Sequence, residues 1–206
     1  MVHHFVNLVC WEDVFEDLKA DRDKIYLDSI SIYILAKFFK VGGNYFPGTK
    51  MASILKKRGP ESMYFLLASD LIGVDCGGKM ILPRRDSFDG EEAVKQFIHG
   101  LPAGVTVIVG ISSPKQNKLA IFLSTIRPDL EIFCLGAALE MIMLQDSRGG
   151  FLSGSGFQWL SFFLLKPVRT FDKVVVTLKS AILILGRKSV RLRFKAFLRS
   201  ALEGAA

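Results

Sequence analysis

Three features of the sequence predict an α/β fold: a mainly parallel sheet with helices on both faces and a C-terminal helical appendage. Continuous apolar runs at residues 63–68 and 105–110 are the mark of strands buried on both faces. Helix-like segments alternate with the strand-like ones, as a parallel sheet requires. Half of the 206 residues are apolar, enough for one compact domain with a substantial core.

Taken in order, residues 11–21 are acid-rich, carry Val14 and Leu18 at helical spacing, and predict a short helix. Residues 24–27 are β-prone and end at Asp28. Residues 30–39 are apolar, and period alone does not decide between helix and strand. Gly42-Gly43-Asn44 and Pro47-Gly48 mark turns, and 51–57 predicts a short helix stopped by Gly59-Pro60. After the strand at 63–68, residues 70–78 form a glycine-bearing loop and 79–82 a short strand. Asp89, Glu91 and Glu92 suit the first turn of a helix ending at His99. The strand at 105–110 leads into a helix that Pro114 opens and that runs to Ile126. Arg127-Pro128 ends it, 131–135 is the next strand, and Gly136 starts a turn. Segments 157–165, 169–185 and 187–202 predict further helices. This order is Rossmann-like. Ligands of such sheets lie outside the carboxyl ends of the strands, which directs attention to the loops after Val109 and Cys134.

Charge divides the chain. Residues 166–206 hold ten Lys/Arg and two acids, a net of +8, against 17 basic and 18 acidic residues elsewhere. We therefore divide the chain into an α/β domain at 1–165 and a basic helical tail at 166–206. The tail suits an anionic surface. Mean hydropathy is positive, which suggests an apolar face turned to lipid or a partner. The first ten residues lack a basic n-region and a cleavage site, so no signal peptide is expected, and no apolar run predicts a membrane span. Cys10, Cys76 and Cys134 form no pair with metal or disulfide spacing and read as buried thiols in a reducing compartment. His3, His4 and His99 are scattered and read as surface residues. Asp70, Asp75, Asp86 and Asp89 lie in glycine-rich loops without a DxD triplet. No metal and no cofactor are expected. Trp11 and Trp159 sit among apolar residues, as core or interface.

The strand-to-helix junction Gly110-Ile111-Ser112-Ser113-Pro114-Lys115-Gln116 would present backbone N–H groups and one cation to an anion. It matches neither the P-loop nor GxGxxG. Downstream come Leu135-Gly136-Ala137-Ala138-Leu139-Glu140, then Gly156-Phe157-Gln158-Trp159-Leu160, then Lys166-Pro167-Val168-Arg169. These four motifs, in this order and spacing, resemble the WecG/TagA/CpsF family, glycosyltransferase family 26. Its pattern runs Gly-x-Gly-x-Pro-Lys-Gln-Glu, Gly-Val-Gly, Gly-Leu-Glu-Trp-Leu and Glu-Pro-x-Arg. Upstream, Tyr26-Leu27-Asp28-Ser29 is similar to the family strand that carries its catalytic base. Several charged positions differ: Asn117, Gln158 and Lys166 stand where the family has Glu, and Phe162 where it has Arg.

The resemblance implies a metal-independent, inverting hexosyltransferase of bacterial polysaccharide synthesis. It would move a sugar from a UDP-sugar donor to a lipid-linked glycan acceptor. Asp28 would be the base that deprotonates the acceptor hydroxyl; read alone, an Asp there serves equally as a helix cap. Ser113, Lys115 and Gln116 would hold the donor, Gly136 would admit the nucleotide, and Arg169 would neutralise the diphosphate. In the tail, Phe194, Phe197 and Leu198 share an apolar face with Val190 and Leu202. Arg187, Lys188, Arg191, Lys195 and Arg199 lie around the other side, an amphipathic helix suited to an anionic membrane. The expected place is the cytoplasmic face of the plasma membrane. A homo-oligomer is compatible with the sequence, whereas no module for nucleic acid is present. The replaced charges support an alternative, a catalytically degenerate scaffold of a polysaccharide assembly complex.

Overall fold

The computed structural model describes residues 1–6, 11–17, 23–41, 46–55, 57–58, 60–67, 76–82, 91–111, 115–136 and 167–203. The elements are β1 (Val2–Val6), α1 (Trp11–Asp17), β2 (Asp23–Leu27), α2 (Ile30–Phe38), α3 (Gly48–Leu55), β3 (Met63–Leu67), β4 (Gly78–Ile81), α4 (Glu91–His99), β5 (Thr106–Gly110), α5 (Lys115–Ile126), β6 (Glu131–Cys134), α6 (Pro167–Gly186) and α7 (Lys188–Glu203). The six strands form one parallel sheet in the order β2-β1-β6-β5-β3-β4. This is the predicted Rossmann-like α/β architecture with a C-terminal helical appendage. The predicted turn at Gly42-Gly43-Asn44, the helix at 157–165 and the loop aspartates lie outside the described residues.

The sequence did not reveal β1. Its two histidines read as surface residues, yet His3 is 6% and His4 1% exposed. The correction has a simple cause: β1 lies inside the sheet, paired with β2 on one side and β6 on the other. Both histidines are therefore buried, one on each face. His3 stacks on Phe133 with ring centroids 4.2 Å apart. His4 Nδ1 lies 3.2 Å from Asn117 Oδ1.

Alternation along the strands sorts the core. Val107, Val109, Ile132 and Cys134 face α4 and α5 through Val94, Ile98, Leu119 and Leu123. On the same face, further along the sheet, Val6, Ile25 and Leu27 meet Trp11, Ile32, Phe194 and Phe197. The opposite face carries Phe5, Phe65, Ile108 and Phe133, covered among the described residues by Ala52 and Leu55 of α3. Arg127 ties α5 to the end of α4. Its guanidinium donates to the carbonyls of Ile98 (3.0 Å) and Leu101 (3.2 Å) and holds Asp129 at 2.7 Å. The hydrogen bond from Arg127 keeps the Asp129 carboxyl well below the usual carboxylate range.

The undecided segment at 30–39 is a helix, and its start explains why. Ser29 is extended, and its hydroxyl accepts the N–H of Ile32, an N-cap that strand pairing would not use. The far end closes with Val41 N–H on Ala36 O and Lys40 N–H on Lys37 O, while Lys40 sits at φ +54°. This paired closure favours glycine at the left-handed position. Lys40→Gly is therefore expected to raise stability by about 1 kcal/mol, read as a higher midpoint in urea unfolding.

The largest correction concerns the tail. Phe194 and Phe197 are fully buried, and Leu198 is 1% exposed. The apolar face of α7 packs on Trp11, whose ring lies 5.0 Å from Phe194 and 5.8 Å from Phe197. These three side chains are core and do not form a membrane-facing surface. The amphipathic pattern was real, but protein covers the apolar face. Arg187, Lys188 and Arg199 remain exposed. Arg191 donates to Leu185 O at 2.7 Å, and Lys195 Nζ lies 5.1 Å over the Phe39 ring.

Candidate functional site

The strand registers bring the candidate residues to one rim. Leu27 pairs with Val6, His4 with Cys134, Cys134 with Val109, and Gly110 with Leu67. Asp28, Gly136 and Ile111 therefore end their strands at one level, the carboxyl edge. Neighbouring strands lie about 4.8 Å apart, so Asp28 is about 10 Å from the Gly136 strand and about 14 Å from that of Gly110. The connections from β3 and β5 run opposite ways, β3 leading outward to β4 and β5 leading back to β6. Switch points of this kind are where open parallel sheets bind their ligands.

Gly136 and Gln116 meet at this rim. Gly136 has φ +51°, and its N–H donates to Val109 O at 3.1 Å. A Cβ there would lie 3.0 Å from Gln116 Oε1 and 3.3 Å from Ile111 O. Both the backbone angle and the lack of space call for glycine. Gln116 is 5% exposed, and its Oε1 has no hydrogen-bond partner among the described residues. Lys115, half-buried, opens α5. The first turn of α5 thus offers N–H groups, a cation and a buried amide, the groups that receive an anionic oxygen or a sugar hydroxyl.

Asn117 takes a role that the sequence did not suggest. It stands where the family motif has Glu, and the structure gives it a histidine partner, His4, both nearly fully buried. This bond ties the first turn of α5 to β1. The missed signal was the strand pattern of Val2 to Val6, in which His4 shares a face with Val2 and Val6.

Asp28 does not cap the helix that follows it, since Ser29 does. Its N–H donates to Val6 O, and its Oδ1 accepts the N–H of Gly48 at 2.5 Å, holding the start of α3 beside the rim. Ser113 lies outside the described residues, as do most residues of the motifs beyond Gly136. Arg169 falls in the first turn of α6.

A separate polar cluster occupies the opposite, amino-terminal edge. Glu131 Oε2 accepts from Arg58 at 2.9 Å, and its Oε1 lies 3.3 Å from His3 Nε2, out of line for a hydrogen bond. His3 Nδ1 lies 3.2 Å from Tyr26 Oη. Burial pushes the His3 pKa down to about 4 despite the opposing pull of Glu131, and Lys24 and the N-terminal amine push the same way as burial. Burial and Glu131 raise the Tyr26 phenol. Arg58, Glu131 and His3 brace the strand starts, and Tyr26, near the end of β2, reaches back to them.

Among the described residues no three His, Cys, Asp or Glu side chains gather to hold a metal ion. Comparison with known proteins returns no match, whether to a family model, to a curated protein or to a solved structure.

Proposed function

We propose that the carboxyl rim binds the diphosphate of a UDP-sugar and that the protein transfers the sugar to a lipid-linked glycan. The acceptor would sit at the inner face of the plasma membrane, with the protein held there peripherally. The observation that carries this reading is the meeting of Gly136, the buried Gln116 amide and the start of α5. Lys115 and the α5 N–H groups would bind the phosphates. Arg169 would stabilise charge on the departing UDP. Asp28, across the rim, would take the proton of the acceptor hydroxyl as the glycosidic bond forms and the sugar–phosphate bond breaks.

Saturation-transfer NMR with UDP, followed by transfer assays on Asp28→Asn, tests the proposal. Asn keeps an oxygen for the Gly48 N–H, so unfolding is expected to be unchanged while turnover falls about a hundredfold. A UDP signal without any turnover would favour the scaffold alternative, which the hydrogen bond from Gly48 to Asp28 also suits. Absence of UDP contact, together with unaltered polysaccharide production by Asp28→Asn, would reject the transferase.

A further inference from the structure

From Phe171 to Leu185, α6 exposes a largely apolar face. Phe171 (60% exposed), Val174, Leu178 (57%), Ile182 (67%) and Leu185 recur at intervals of three or four residues and form one stripe. Among the residues of this helix whose burial is described, only Ile184 is buried, in the core that α7 completes. At ~1.5 Å per residue the stripe from Phe171 to Leu185 runs about 21 Å, so this is a long apolar ridge on the surface. Patches of this kind mark contact sites.

Charge selects the occupant. Residues 173–202 contain no Asp or Glu. Exposed Lys179 lies beside the stripe, Arg187 and Lys188 stand at its end, and Arg199 is exposed on α7. A second copy of the chain would bring the same positive charge against this one. An anionic lipid surface meets both features, apolar side chains entering the acyl boundary and cations meeting headgroups. No helix among the described residues is long and apolar enough to cross a membrane, so the contact would be in-plane.

We infer that α6, and not the apolar face of α7, is the membrane-docking element, lying in the interface of an anionic bilayer through the Phe171–Leu185 stripe. This deepens the membrane part of the function proposed above and rests on it in that respect alone. The test uses the full chain without donor, so its failure and the failure of sugar transfer are distinguishable.

Co-sedimentation with phosphatidylcholine vesicles, with and without about one third phosphatidylglycerol, measures it. Binding is expected with the anionic vesicles and is expected to fall with added salt. The double variant Leu178→Glu/Ile182→Glu should bind at least tenfold more weakly (about a tenfold loss as a lower bound), with its thermal midpoint unchanged because both side chains are exposed. Lys188→Glu/Arg199→Glu should weaken binding about tenfold, with less effect in high salt. Four results would overturn the inference: no vesicle binding by the wild type, full binding by Leu178→Glu/Ile182→Glu, a lowered thermal midpoint in that variant, or a dimer that it dissolves. The third would place the chain's own residues on the stripe, and the fourth a second copy.

Discussion

Phe194→Ala is expected to lower the unfolding free energy by about 3–5 kcal/mol, the cost of truncating a fully buried aromatic. The ring has no exposed surface. It meets Trp11 edge-on at 5.0 Å, Phe39 at 6.1 Å and Phe197 at 6.2 Å. Three aromatic neighbours on separate elements cannot all close around the gap, so a cavity term adds to the lost transfer energy. Urea unfolding followed by tryptophan fluorescence measures the loss. Leu192→Ala, on the exposed side of the same helix at 57% exposure, serves as the control; it should change stability by less than about 0.5 kcal/mol. Equal effects for the two variants would mean that α7 is not docked on Trp11.

The second large effect is on pH dependence. His3 is held neutral in the folded protein, with its pKa lowered from 6.5 to about 4. The unfolded chain therefore binds a proton that the folded chain refuses between those values, and stability falls as pH drops through that window. Below about pH 4 both states are protonated and this contribution levels off. The loss over the window is about 3 kcal/mol. His3→Phe keeps a ring stacked between Phe133 and Tyr26 and removes the titration. Thermal midpoints measured from pH 7 to pH 4.5 should fall steeply for the wild type and much less for this variant. Parallel curves would show that His3 is not buried neutral.

Much of the sheet was legible because its inner strands are unmixed. The runs that became β3 and β5 are apolar at nearly every position, which only a strand covered on both faces needs. β1 is equally buried, yet two of its five residues are histidines. Composition cannot show that one finds Asn117 and the other an aromatic stack across more than 100 residues. In α7 the apolar period correctly announced a face to be covered. Period reports that need and says nothing of whether protein or lipid meets it, and Trp11 meets it here. The exposed stripe of α6 was hidden for the converse reason: an apolar helix reads as core until its neighbours are known. At the rim, Gly136 and Gln116 were nominated by a motif. Their contact follows from the adjacency of β5 and β6, which spacing alone does not encode.

Segments far apart in sequence share one core, since Val6, Trp11 and Ile25 are sealed by Phe194 and Phe197. β1 likewise awaits β6 for its second neighbour. A ribosome emits the chain from its amino end, so the opening strands and Trp11 leave the exit tunnel long before their covers exist. The nascent protein keeps an open strand edge and a greasy patch in solution until β6 and α7 have emerged, the kind of exposure that favours aggregation. Loss of α7 by an early stop would strand it in that state.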